Sequence, residues 1–115
     1  MAEHPHVVLR ESGFLAIIEP DRWVPGGYML VVDGTPQSHV NTEDPGQLSF
    51  EYVARIGHVI DQLGMPGEPI TAIHLGAGAL TLPRYIHATR PGSRQQVIEL
   101  ERDLVELVRA EIPLS

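Results

Sequence analysis

The chain has 115 residues and a formal net charge of −7, with 8 Lys and Arg against 15 Asp and Glu. That is the length of one small domain, and an acidic chain without a basic run has nothing to attract nucleic acid phosphates, so no nucleic acid partner is expected. There is no cysteine for a disulfide or a thiolate metal site, and no apolar stretch near the ~18 residues that span a bilayer, so the expectation is a soluble, cytoplasmic protein with no membrane partner.

From Val7 to Val40, short β-prone runs alternate with turn signals. Val7–Arg10, Phe14–Ile18, Tyr28–Val32 and a shorter run, Gln37–Val40, are separated by Ser12-Gly13, by Glu19-Pro20-Asp21 with Pro25-Gly26-Gly27, and by Asp33-Gly34. Runs of this length broken by Gly, Pro and Asp predict an antiparallel meander. Asp33-Gly34 is its sharpest turn, because a primed hairpin turn needs positive φ at both central residues. Trp23, the only tryptophan, is expected to cap the apolar face of the meander.

After the polar stretch Asn41 to Gly46 the apolar period lengthens. Val53, Ile56, Ile60 and Leu63 recur at three and four, which predicts an amphipathic helix ended by Gly64 and kept from resuming by Pro66 and Pro69. Ile70–Leu75 is apolar with little alternation and predicts a parallel strand covered on both faces. Gly76-Ala77-Gly78 then turns the chain into a helix with Thr81 as its cap and Pro83 in its first turn, ending before Arg90-Pro91-Gly92. A second strand, Gln95–Glu99, and a last helix, Arg102–Ala110, follow. Two parallel strands are too few for a stable sheet, so either a longer protein or further strands from another copy or a partner are expected.

Strand, glycine turn, helix, strand is a unit that brings backbone N–H groups to a ligand at the end of its first strand. Gly76 and Gly78 allow the tight turn, and Glu99, 21 residues beyond Gly78, stands where a ribose diol finds its acceptor. These residues predict a nucleoside or nucleotide site; Thr81, where a dinucleotide fingerprint has Gly or Ala, argues against NAD. The six histidines are scattered; His4 and His6 could face the same way on an extended segment, but no carboxylate partner at ligand spacing stands with them, so no metal site is expected. Glu101, Asp103 and Glu106 read as solvated carboxylates favouring the dipole of the last helix. No spacing supports a nucleophilic triad or a paired-carboxylate site, and no catalytic residue is assigned.

In combination, Leu30 to Gln37, the helix from about Gln47 to Leu63, His74 to Gly78, and Val97 to Glu101 resemble the first half of spermidine synthases and their relatives. The resemblance covers nearly the whole chain. It implies a small N-terminal antiparallel β-domain, residues 1–45, followed in residues 46–115 by the first β-α-β-α of an S-adenosylmethionine-methyltransferase-like Rossmann fold with an incomplete sheet, an α/β architecture. It also implies aminopropyl transfer from decarboxylated S-adenosylmethionine to a polyamine such as putrescine, releasing methylthioadenosine, in a homo-oligomer. Gln37, Gly76, Gly78 and Glu99 match family positions that hold the thioether nucleoside. The family's aspartate for the aminopropyl amine falls on Ala79, and its tyrosine-histidine-glutamate stretch falls near Phe50-Glu51-Tyr52, without the histidine. The chain alone is expected to be inactive. The alternatives are an S-adenosylmethionine-dependent methyltransferase, a non-catalytic nucleoside-binding relative, or a structural module that associates through an exposed sheet edge.

Overall fold

A computed structural model describes residues 3–114. The elements are β1 (His6–Val8), β2 (Leu15–Pro20), β3 (Gly27–Val32), β4 (Thr35–Asn41), α1 (Glu51–Asp61), β5 (Thr71–Leu75), α2 (Thr81–Thr89), β6 (Arg94–Ile98) and α3 (Arg102–Glu111). The first four strands form an antiparallel sheet in chain order, and β5 and β6 pair in parallel. The predicted meander, the two-stranded parallel unit and the three helices are therefore present. The β3–β4 turn carries positive φ at both Asp33 (52°) and Gly34 (75°), as a primed hairpin requires. Among the described residues no helix is long and apolar enough to cross a membrane.

Strand boundaries differ from the sequence reading where turns intrude. The first strand runs from His6 to Val8 and not from Val7 to Arg10, because the chain already turns at Leu9, whose carbonyl accepts the Gly13 N–H at 2.7 Å. β4 begins at Thr35, two residues early, with Pro36 tolerated because β4 is an edge strand. Its pairing contains a bulge: Leu30 pairs with Ser38 and Val31 with Pro36, so Gln37 is the extra residue.

The core is shared between the two halves of the chain. Ala16, Ile18 and Leu30 alternate inward from the antiparallel sheet, and α3 lies over them with Leu104, Val108 and Ile112, spaced four apart. Ala77, Ala79 and Leu80 of the glycine turn are buried in the same cluster. This placement corrects the expectation for β5. It is not covered on both faces: Ile73 is 62% and Leu75 84% exposed, because α3 packs on the antiparallel sheet and leaves this side of the parallel pair open. Trp23 is also corrected, since it is 84% exposed and caps nothing. Its loop is held instead by Asp21, which accepts the Trp23 N–H at 2.9 Å and lies 2.9 Å from the buried His39 Nε2.

Candidate functional site

A cleft of about 670 Å³ lies between the antiparallel sheet, the start of α1 and the carboxyl ends of β5 and β6. Gln37, Gly76, Gly78 and Glu99, from four separate places in the sequence, all line it. A larger cavity of about 1150 Å³ lies on the other flank, between α2 and α3, and has only Glu99 in common with that set. Parallel strands end their ladder at the glycine turn, so the turn and the residue after β6 open onto the same edge. The Gln37 bulge does the equivalent for β4. Consecutive strand residues normally face opposite sides, yet Gln37 and Ser38 both line the cleft.

The turn is held by its own backbone amides. Gly76 N–H donates to Ile98 O (2.7 Å), Ala77 N–H to Glu99 Oε1 (2.8 Å), Ala79 N–H to Ser38 Oγ (3.3 Å) and Leu80 N–H to Ala77 O (2.9 Å). Glu99 uses its second oxygen to accept Glu101 N–H at 2.9 Å, so one carboxylate fixes both the turn and the exit from β6. Gly78 N–H is the one amide of this turn without a partner among the described residues. The two glycines differ in what they clear. A Cβ on Gly76, at φ +92°, would stand in open space, whereas one on Gly78, at φ +52°, would meet Ser38 Oγ at 2.5 Å.

Thr81 does not cap α2. Leu80 takes the cap position with left-handed φ of 62°, and Thr81, already helical, donates its hydroxyl to His39 O at 3.1 Å, tying α2 to β4. Ala79, where the family resemblance places an amine-binding aspartate, is fully buried in the core.

The acidic cluster is also corrected. Glu101 is buried against the β1–β2 turn and accepts Glu11 N–H (3.0 Å) and Ser12 N–H (3.1 Å), while Asp103 forms a two-pronged pair with Arg10 at 2.8 and 3.1 Å. Hydrogen bonding from Ser12, helped by Glu11 N–H, holds the Glu101 carboxyl below its ordinary range against the opposing effect of burial. Arg10 does the same for Asp103. Only Glu106 behaves as a solvated carboxylate, 3.4 Å from Arg102 on an exposed helix face. Ser12 and Glu101 line the cleft, and so does Tyr52, whose hydroxyl donates to Gln37 O at 3.2 Å. Glu101 and Ser38 were missed as site residues because their roles depend on long-range packing that no local spacing announces.

Chemically, the cleft has carboxylates at Glu99 and Glu101, no Lys or Arg among the described residues of its lining, and apolar walls including Leu30, Val53 and Ile73. Phosphate-binding turns present several free N–H groups together, whereas this one uses nearly all of them internally. The arrangement suits a flat, uncharged or cationic body with hydroxyls and disfavours a phosphate.

Neither protein-family models nor curated proteins yield a match to the chain. Among solved structures it is similar to a probable spermidine synthase from Corynebacterium glutamicum, with a TM-score of 0.80 and 25% identity over 100% of this chain and 42% of that one. The chain therefore spans less than half the length of that neighbour.

Proposed function

We propose that this chain is the nucleoside-holding portion of a spermidine synthase-like aminopropyltransferase. The observation that carries the reading is the convergence of Gln37, Gly76, Gly78 and Glu99 on one cleft with no Lys or Arg among its described lining residues. The likeness to a probable spermidine synthase along the whole chain supports it. On this reading, β5-α2-β6-α3 is the opening of a methyltransferase-like Rossmann sheet, the domain boundary falls near residue 45, and Glu99 accepts the ribose hydroxyls. The co-substrate is decarboxylated S-adenosylmethionine. In the reaction a polyamine amine attacks the carbon beside the sulfonium, the C–S bond breaks towards sulfur, and methylthioadenosine leaves. This chain binds and orients the nucleoside, and no residue of it is given a catalytic role.

A second reading is favoured by Ala79. With a buried methyl where a carboxylate would pair with the aminopropyl amine, the cationic tail has no partner there, which suits a methyltransferase using S-adenosylmethionine or a non-catalytic nucleoside binder. Calorimetry with methylthioadenosine, S-adenosylmethionine and its decarboxylated form tests both. The nucleoside reading expects saturable binding that Glu99→Ala weakens by about tenfold or more, since a hydrogen bond to a charged group contributes roughly 1.5–3 kcal/mol. No binding of any of the three rejects it. Equal affinity for methylthioadenosine and the decarboxylated compound favours the second reading.

A further inference from the structure

We infer that Ser38 is the positioning residue of the glycine turn, locking it through Gly78 and Ala79 and thereby setting the shape in which the cleft meets a nucleoside. The effect on ligand binding rests on the nucleoside reading above; the lock itself does not.

Three observations converge. The β4 bulge at Gln37 brings Ser38 onto the cleft side beside Gln37, an arrangement that a regular strand does not produce. The Ser38 hydroxyl accepts Ala79 N–H at 3.3 Å and so links the antiparallel sheet to the turn after β5. Its oxygen also occupies the space that a Gly78 side chain would need, 2.5 Å from an ideal Cβ. A side chain at 78 would therefore have to turn the serine hydroxyl away from Ala79 N–H, in addition to adopting a left-handed φ of +52°, whereas Gly76 faces open space. The hydroxyl's own proton has no acceptor among the described residues, and the side chain lines the cleft, so that proton is available to an acceptor on the ligand. Ser38 is both the latch of the turn and a donor at the cleft wall.

Two measurements test this. The first is an unfolding cycle with Ser38→Gly, Gly78→Ala and the double variant. The left-handed strain of alanine at 78 is common to both backgrounds, so the difference isolates the contact with Ser38. Gly78→Ala is expected to lower Tm by at least about 4 °C more when Ser38 is present than when glycine replaces it. Additive effects overturn the lock. The second is calorimetry of methylthioadenosine with wild type and Ser38→Ala. A roughly tenfold weaker affinity is expected, which a serine serving stability alone would not produce. Unchanged affinity beside a wild type that binds overturns the positioning role. A wild type that does not bind methylthioadenosine rejects the nucleoside reading and with it the ligand role, while the unfolding cycle still decides the lock.

Discussion

Leu80 sits with left-handed φ of 62° at the entry to α2, a conformation that costs a bulky residue roughly 1–2 kcal/mol. It persists because the side chain is buried in the shared core and the backbone N–H is held by Ala77 O at 2.9 Å. Burial outweighs strain here. Leu80→Gly is therefore expected to destabilise the protein by about 1–3 kcal/mol in urea unfolding, because the lost packing of roughly 2–5 kcal/mol exceeds the relieved strain. A more stable glycine variant would reverse that ranking. Glu99 is the second decisive residue. Both its oxygens accept backbone N–H groups, and an amide has only one oxygen to offer, so Glu99→Gln should cost about 1–3 kcal/mol of stability, measurable in the same assay. An unaffected midpoint would show that Glu99 does not fasten the turn. Glu99 was legible in the sequence from its position after a second strand. Its fastening role was not, because it depends on which amides the folded turn presents.

At the scale of elements, α2 is a keystone built on two buried arginines that donate only to carbonyls. Arg84 reaches Ala79 O of the glycine turn (3.1 Å) and Ile112 and Pro113 at the end of α3 (2.5 and 3.3 Å), and burial lowers its pKa. Arg90, 2% exposed, gathers Ile60, Leu63 and Glu68 carbonyls at and after the end of α1, at 2.9, 2.5 and 2.7 Å. Each guanidinium meets the negative end of a helix, where a cation is favoured. Arg90→Met should lower stability by about 2–4 kcal/mol, because several buried acceptors lose their donor at once; a loss under 1 kcal/mol would mean that water replaces it. Tyr85 on the same helix donates to Asp61 Oδ1 at 2.5 Å, and burial first, then Asp61, pushes its pKa up to about 12. In the sequence, Arg90-Pro91-Gly92 read only as a stop signal, since nothing local reveals that the arginine turns back to another helix.

The β1–β2 turn gives the pH dependence. Glu101 and Asp103 have folded-state pKa values depressed below their unfolded ones, so their contribution is present above the ordinary carboxylate range near ~4 and is lost as pH falls through the folded values. The Glu11 and Ser12 amide resonances should therefore shift on acidification below about pH 4, as the carboxylate that accepts them is protonated. Amides that do not move as the Glu101 carboxyl itself is titrated would contradict this attachment.

Over the whole molecule, the meander was legible from its turn-bounded β-prone runs and α3 as a helix of nearly its observed span, but the packing of one on the other, in which Ala16, Ile18 and Leu30 meet Leu104, Val108 and Ile112, was not, because it joins residues far apart in the chain. The parallel pair was legible as strands but not in its covering. Ile73 and Leu75 have the composition of buried positions while standing in the open, and composition alone cannot say which neighbours are present. The consequence is measurable. Replacing Ile73 and Leu75 together by Ser should change unfolding free energy by less than about 1 kcal/mol, against about 3 kcal/mol for Leu30→Ala in the core. A large loss from the pair would mean that this face is covered in solution.

On the proposed function, a nucleoside occupies the cleft where the bulge of β4, the glycine turn and Glu99 meet. Amide chemical-shift mapping during titration with methylthioadenosine addresses it most directly. Saturable shifts are expected at Gln37, Ser38, Gly76 to Thr81 and Glu99, with the α2–α3 flank around Val105 and Arg109 unmoved. No shifts, or shifts centred on that opposite flank, would contradict it.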